Sequence, residues 1–184
     1  ENEELRQAKR ESQQPDLCYR SMVANSPFGI LLTDPLSGDI LDANVEASRL
    51  LGYSQVELCT LNRTDILDTS SPQLNRALEQ RSQEGRFWGE LVCRHADGTR
   101  FPVEIASSIY TDAAGRTWAS VFFLDIRERK ALEKQLRYRE EKWRGLFELL
   151  PVGVSIVDPE NGVSDSNPAL TSILELSKEG IATG

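Results

Sequence analysis

Histidine is nearly missing from this chain of 184 residues, in which His95 stands alone. His95 is therefore the only imidazole on offer for haem or metal ligation or for general-base chemistry. Long apolar runs are missing too, since none approaches the ~20 residues that a membrane span needs. An excess of basic charge is also absent. With 21 Lys and Arg against 29 Asp and Glu, the net charge is −8, which argues against a phosphate-backbone partner, because such binding needs a clustered basic surface. Nucleic acid is not an expected partner. The cysteines are few and odd in number. Cys18, Cys59 and Cys93 are widely spaced in apolar surroundings, which fits neither a disulfide framework nor a metal motif. Cys59 and Cys93 read as buried hydrophobes, and a reducing cytoplasm is the expected compartment. The opening Glu1-Asn2-Glu3-Glu4 is the opposite of a signal peptide and lacks an initiator Met, so the chain reads as a piece of a longer protein. No nucleotide-binding glycine loop, HExxH or Ser/His/Asp set is available. Catalysis is not expected of this fragment.

An internal repeat is what the sequence does contain. Residues Arg20 to Gly38, RSMVANSPFGILLTDPLSG, align without a gap on Arg144 to Gly162, RGLFELLPVGVSIVDPENG. Arg, Pro, Gly, Asp-Pro and Gly recur at matched positions. After one dropped residue, Asp42 and Asn44 match Asp165 and Asn167, and Leu50-Leu51 matches Ile173-Leu174. Everything from Thr60 to Asp125 lacks a counterpart in the second copy, so only the first unit is expected to be complete. The truncation reads as a cut within a tandem arrangement, with completion by another chain as the alternative.

Within the first copy, residues 1–15 form a polar connector helix ending near Pro15, and Leu17 to Ala24 a second short helix. Gly29 to Thr33 and Ile40-Leu41 are strand candidates joined by a Pro and Gly turn. Asn44 is placed to cap a helix with Val45, Ala47, Leu50 and Leu51 on its apolar stripe, stopped by Gly52. Ser54 and Glu57 form a capping box, Thr60 to Ser71 is irregular, and Pro72 opens a helix closed by Gly85. Three strands follow, Phe87 to Ala96, Arg100 to Tyr110 and Thr117 to Leu124, joined by Asp97-Gly98 and Asp112-Ala-Ala-Gly115, both hairpin turns. This order predicts an α+β fold with a five-stranded antiparallel sheet, short helices on one face and helices flanking both ends.

From Ile126 to Leu150 the pattern becomes helical with a seven-residue beat. Leu132, Arg139 and Leu146 make one set, and Arg129, Leu136, Trp143 and Leu150 the other, which is the spacing of a parallel coiled-coil seam. A homodimer is the expected state. An amphipathic helix packed on its own domain is the alternative.

The stretches NSPFGILLTD, ILDANVEASRLLGYSQVEL, WGELVCRHADGTRFPVEI and LDIRERKALEKQL, in this order, resemble the PAS family of sensory domains. The resemblance covers residues 16–125 fully and 144–184 as the opening part of a second, incomplete PAS-like domain, with a signalling helix over 126–143 between them. It implies the five-stranded PAS architecture and a role for Asn44, Gly52, Asp97 and Gly98 as its structural motif. It also implies that Asp125, Ile126 and Arg127 transmit a signal from sheet to helix, where Asp125 can cap the free N–H groups of the first turn. The family usually has Asp-Ile-Thr there, and Arg127 cannot supply a threonine's hydrogen bond.

The resemblance also bears on cofactors. His95 precedes Asp97-Gly98, a position usually held by Lys or Arg, and reads as an exposed turn residue. Haem relatives draw their ligand from the helical side, so haem is disfavoured. Relatives that form a flavin adduct carry Cys within an Asn-Cys-Arg-like motif, whereas the comparable stretch here is Asn62-Arg63-Thr64 and Cys59 lies too early. Non-covalent flavin near Phe87, Trp88 and Trp118 is a lesser option, because aromatics at the start of that strand ordinarily pack in the core. An empty or small-ligand pocket is the expectation. The resemblance thus implies a cytoplasmic sensory and dimerisation module that relays a ligand- or redox-induced change through its C-terminal helix. The output domain would be a histidine kinase or a diguanylate cyclase or phosphodiesterase. A ligand-free structural dimerisation scaffold is the rival reading.

Overall fold

The computed structural model describes residues 20–160 and 162–174. The expected connector helix over residues 1–15 and Cys18 lie outside the described residues. Two compact units are present, Glu1–Glu128 and Arg129–Gly184.

The first unit is a five-stranded sheet in the order β2-β1-β5-β4-β3, with every neighbouring pair antiparallel. Its strands are β1 (Gly29–Thr33), β2 (Ile40–Ala43), β3 (Arg86–Arg94), β4 (Arg100–Thr111) and β5 (Thr117–Asp125). The helices α1 (Val45–Leu51), α2 (Gln55–Leu58), α3 (Arg63–Ile66) and α4 (Pro72–Glu84) fall between β2 and β3. Strand alternation selects the covered face. In β4, Phe101, Val103, Ile105 and Ser107 are buried while their neighbours are not, as a period of two requires. These side chains join Leu31, Ile40, Leu51, Leu58 and Phe123 in one core between sheet and helices.

The helix boundaries follow local chemistry. Asn44 caps α1 by accepting from the Ala47 N–H, and Gly52 ends it at φ 77°, where a side chain would be strained. Ser54 and Glu57 form the expected capping box. Ser71 caps α4 with Pro72 in its first turn, and Gly85 closes it. The stretch 60–71 is less irregular than expected, because Asn62 and Asp65 form a second capping box that starts α3. Val45, expected on the buried stripe, is 60% exposed. At ~100° per residue it lies about 200° round the helix from buried Ala47.

In the second unit, α5 (Arg127–Leu149) begins in the first unit's last residues, and β6 (Ser155–Asp158) and β7 (Gly162–Ser166) form an antiparallel hairpin that leads into α6 (Pro168–Leu174).

Candidate functional site

The inward side chains of the sheet and α4 do not meet completely. A cavity of about 50 Å³ remains, walled mostly by carbon from Leu31, Leu74, Ala77, Leu78, Phe87 and Phe123. Polar groups reach it from Thr33, Ser107, Arg63 and Arg81. Arg81 is 7% exposed. Its Nη1 donates to Ser107 Oγ at 3.2 Å, and its Nε is buried with no partner. Burial first, and the charge of Arg63 second, push its pKa below the ordinary value. Arg63, the first residue of α3, reaches the loop between β1 and β2, where its guanidinium donates to the carbonyls of Pro35 and Leu36 at 3.1 and 3.2 Å. A shallower cleft of about 200 Å³, with Pro35, Ser82 and Ile109 in its wall, shares Arg63, Leu78 and Arg81 with the cavity.

A second feature lies where β5 runs into α5. Asp125 Oδ1 accepts from the Arg127 N–H at 2.9 Å, and Arg127 Nε donates to Asp125 Oδ2 at 2.8 Å. Burial acts to raise the Asp125 pKa, but the hydrogen bonds and charge of Arg127 outweigh it and hold the carboxyl below its ordinary value. Arg49, at the end of α1 and paired with Glu46, adds to that field. The Arg127 guanidinium lies 4.9 Å over the ring of Phe101, itself 1% exposed. Ile126 is buried, and its N–H donates to Pro102 O at 3.2 Å. Arg127 thus does what a threonine at this position cannot, touching both the carboxylate and the core aromatic.

The four motif residues hold the scaffold around these features. Asn44 is 4% exposed. Its Oδ1 accepts from Ile30 N and Ala47 N, each at 2.9 Å, and its Nδ2 donates to Val23 O and Phe28 O, each at 3.0 Å. Asp97 Oδ1 accepts from Thr99 N, and Gly98 turns at φ 86° between β3 and β4. That turn is tied to the end of α1 by Ala96 N donating to Leu51 O at 2.8 Å. Gly52 and His95 meet there, since a Cβ on Gly52 would lie 2.3 Å from His95 Nε2. His95 is therefore half-buried rather than fully exposed, with its Nδ1 2.9 Å from Asp97.

Two further expectations change. Trp88 is 72% exposed, because Leu91 and Cys93 face inward and the alternation of β3 then turns Phe87 in and Trp88 out. Cys59 is exposed, while Cys93 is buried. Desolvation still raises the Cys59 thiol, and burial pushes Cys93 up to about 12, so neither is a ready thiolate.

Along α5 the heptad residues Leu132, Leu136, Trp143 and Leu146 are each more than half exposed. Leu150 lies one residue beyond the helix, with its N–H still donating to Leu146 O. Asn167, in the second unit, is 0% exposed. Its Oδ1 accepts from Val154 N and Leu170 N, and its Nδ2 donates to Val152 O and Leu150 O. Ile30, Phe28 and Ala47 are the repeat-matched counterparts of Val154, Val152 and Leu170. The β1–β2 and β6–β7 pairs even shift register at matched places, Leu32/Thr33 and Ile156/Val157.

Arg81 was not singled out from the sequence. The signal existed: Leu74, Ala77, Leu78 and Arg81 follow i, i+3, i+4, i+7, which puts the arginine on the apolar stripe of α4.

A family model described as the PAS fold matches residues 18–126. The chain belongs to the PAS family. As a PAS domain, the first unit is a sensory module. Among curated proteins, sporulation kinase E of Bacillus subtilis is 23% identical over 180 residues, covering 95% of this chain but 24% of the kinase. The chain thus spans about a quarter of that relative's length. Among solved structures, a PAS domain from a two-component sensor histidine kinase matches with TM-score 0.53 and 20% identity, covering 62% of this chain and 98% of the other. A PAS domain from Colwellia psychrerythraea matches with TM-score 0.54 and 20% identity, over 61% and 98%. An RNA-binding light-oxygen-voltage receptor matches with TM-score 0.59 and 24% identity, over 71% and 38%. At these identities the likeness concerns the fold, an α+β architecture with a five-stranded antiparallel sheet. No helix among the described residues is long and apolar enough to cross a membrane.

Proposed function

We propose that this PAS domain is a sensory and dimerisation module of a cytoplasmic signalling protein, with the interior cavity as its input and α5 as its output. The junction at Asp125 and Arg127 carries the reading. One arginine contacts both a core aromatic of the sheet and the carboxylate that opens the output helix, so a change in core packing reaches α5 directly. A ligand shifts such an equilibrium only by its differential affinity for the two states. The exposed heptad residues Leu132, Leu136, Trp143, Leu146 and Leu150 would be covered by a second copy of the helix in a parallel pair. The shared asparagine wiring supports reading residues 144–184 as the opening part of a second PAS-like domain. The kinases named among its relatives favour a histidine kinase as the output, ahead of a cyclic-dinucleotide enzyme.

The rival reading, a ligand-free dimerisation scaffold, draws on the modest size of the cavity, about 50 Å³. Hydrogen exchange separates the two. Ala77→Val adds two carbons to the cavity wall and should alter amide protection in the first turns of α5. Asp125→Asn in the same chain should remove that transfer. Protection in α5 that ignores Ala77→Val would refute the relay and leave the scaffold.

A further inference from the structure

Arg81 poses a problem that the fold leaves unsolved. A guanidinium this far from water is tolerated when a carboxylate or a full set of acceptors compensates it. Here the compensation is one neutral hydroxyl, Ser107 Oγ at 3.2 Å, while Nε is buried and unpartnered. No carboxylate among the described residues forms an ion pair with Arg81, and the charge that acts on it is a second cation, Arg63. Arg63 gives its own donors to Pro35 O and Leu36 O. Two positive groups thus border an apolar cavity with no negative one.

We infer that the cavity binds a short-chain carboxylate, with the carboxylate on the Nε edge of Arg81 and the alkyl part among Leu74, Ala77, Leu78 and Phe123. A carboxylate matches the planar fork of the guanidinium and supplies the missing acceptors. Phosphate fits less well, because its four oxygens and higher charge ask for more polar partners than a cavity walled mostly by carbon supplies. The size agrees. A single water needs ~10–15 Å³ of such volume, so about 50 Å³ admits an ion on the scale of acetate or propionate. The cleft that shares Arg63, Leu78 and Arg81 with the cavity offers the way in. This inference rests on the reading of the cavity as the input site.

Calorimetry and thermal denaturation of the full chain with sodium propionate, against propionamide, inorganic phosphate and sodium chloride at matched ionic strength, test it. Propionate should bind with one site per chain and raise Tm by about 4 °C or more near saturation. Propionamide, phosphate and chloride should not. Arg81→Met should abolish the shift. Arg81→Lys, which keeps the charge but loses the fork, should weaken binding by about tenfold or more. Equal shifts from propionate and propionamide, no shift with propionate, or a full shift retained in Arg81→Met would overturn the inference. The Ala77→Val exchange experiment uses no ligand. A positive result there with no propionate binding would therefore reject the ligand class alone, whereas failure of both would reject the sensory reading as well.

Discussion

Replacing Asn44 with alanine should damage the first unit far more than loss of an ordinary helix cap. A cap alone is worth about 1 kcal/mol. Asn44 also holds Ile30 N, Val23 O and Phe28 O, and a buried polar group left without its partner costs roughly 1–3 kcal/mol. Allowing the loop before β1 to recover part of its bonding with water, the expected loss is about 3–5 kcal/mol. With an m-value of ~2 kcal/mol/M in urea, the midpoint should fall by about 2 M. The assay is urea titration by tryptophan fluorescence in a Trp143→Phe background, which leaves Trp88 and Trp118, both in the first unit, as reporters. Asn44→Asp keeps the acceptor but turns both donors into a carboxylate facing the carbonyls of Val23 and Phe28. It should be at least as damaging at neutral pH and should recover partly on acidification, when the protonated acid can donate. A loss below about 1 kcal/mol in Asn44→Ala would show that Asn44 acts only as a cap and would refute the wiring argument.

Acidification should probe the junction. Asp125 titrates below its ordinary value of 3.8 when folded, so its contribution to stability is intact above that value and is lost as pH falls through the folded pKa. Asp125→Asn should lower the melting temperature by a roughly constant amount between pH 5 and 8 and flatten part of the acid-induced loss below that range; an unchanged acid profile would count against the Asp125–Arg127 pair. In a Cys18→Ser background, a thiol reagent should modify exposed Cys59 from the native state and Cys93 only on unfolding, as mass spectrometry would show; native labelling of Cys93 would contradict its burial. Leu136→Ser with Trp143→Ser should leave the chain monomeric in analytical ultracentrifugation, and a persisting dimer would remove the helix-pairing argument. Gly52→Ala should lower stability by at least about 1 kcal/mol, because φ is 77° there and His95 occupies the space; a neutral result in thermal melts would contradict the latch between α1 and the β3–β4 turn.

Local rules made much of this fold legible. Asn44, Gly52, Ser54 and Pro72 mark helix ends through hydrogen bonds spanning a few residues, and Asp97-Gly98 marks a turn by backbone conformation alone. Facing direction was harder. Trp88 reads as core by residue type, yet the inward positions of Leu91 and Cys93 turn it outward. Asn62 and Asp65 carry the same capping logic as Ser54 and Glu57, but a helix of 4 residues has too short an apolar stripe to reveal itself. Arg81 escaped for the opposite reason. Its spacing is that of a core residue while its chemistry belongs to the surface, and only the packing of α4 on the sheet shows that spacing prevailed.

The asparagine wiring also bears on the order in which the chain assembles. Every bond Asn44 makes reaches back or forward by at most 21 residues, whereas β1 must find β5 about ninety positions away, with Gly29 opposite Phe123. Loop closure makes the near contacts cheaper in entropy and earlier in time. The segment from Val23 to Leu51 can therefore set its turn, hairpin and helix while the later strands are still unstructured. The wiring around Asn167 stands, among the described residues of the second unit, with one hairpin and the helices α5 and α6 but no further strands. A nucleus of this kind predicts that Asn44→Ala slows refolding, while Ile105→Val, in a strand that joins late, mainly speeds unfolding. Stopped-flow measurements giving the reverse pattern would place the nucleus in the β3–β5 strands instead.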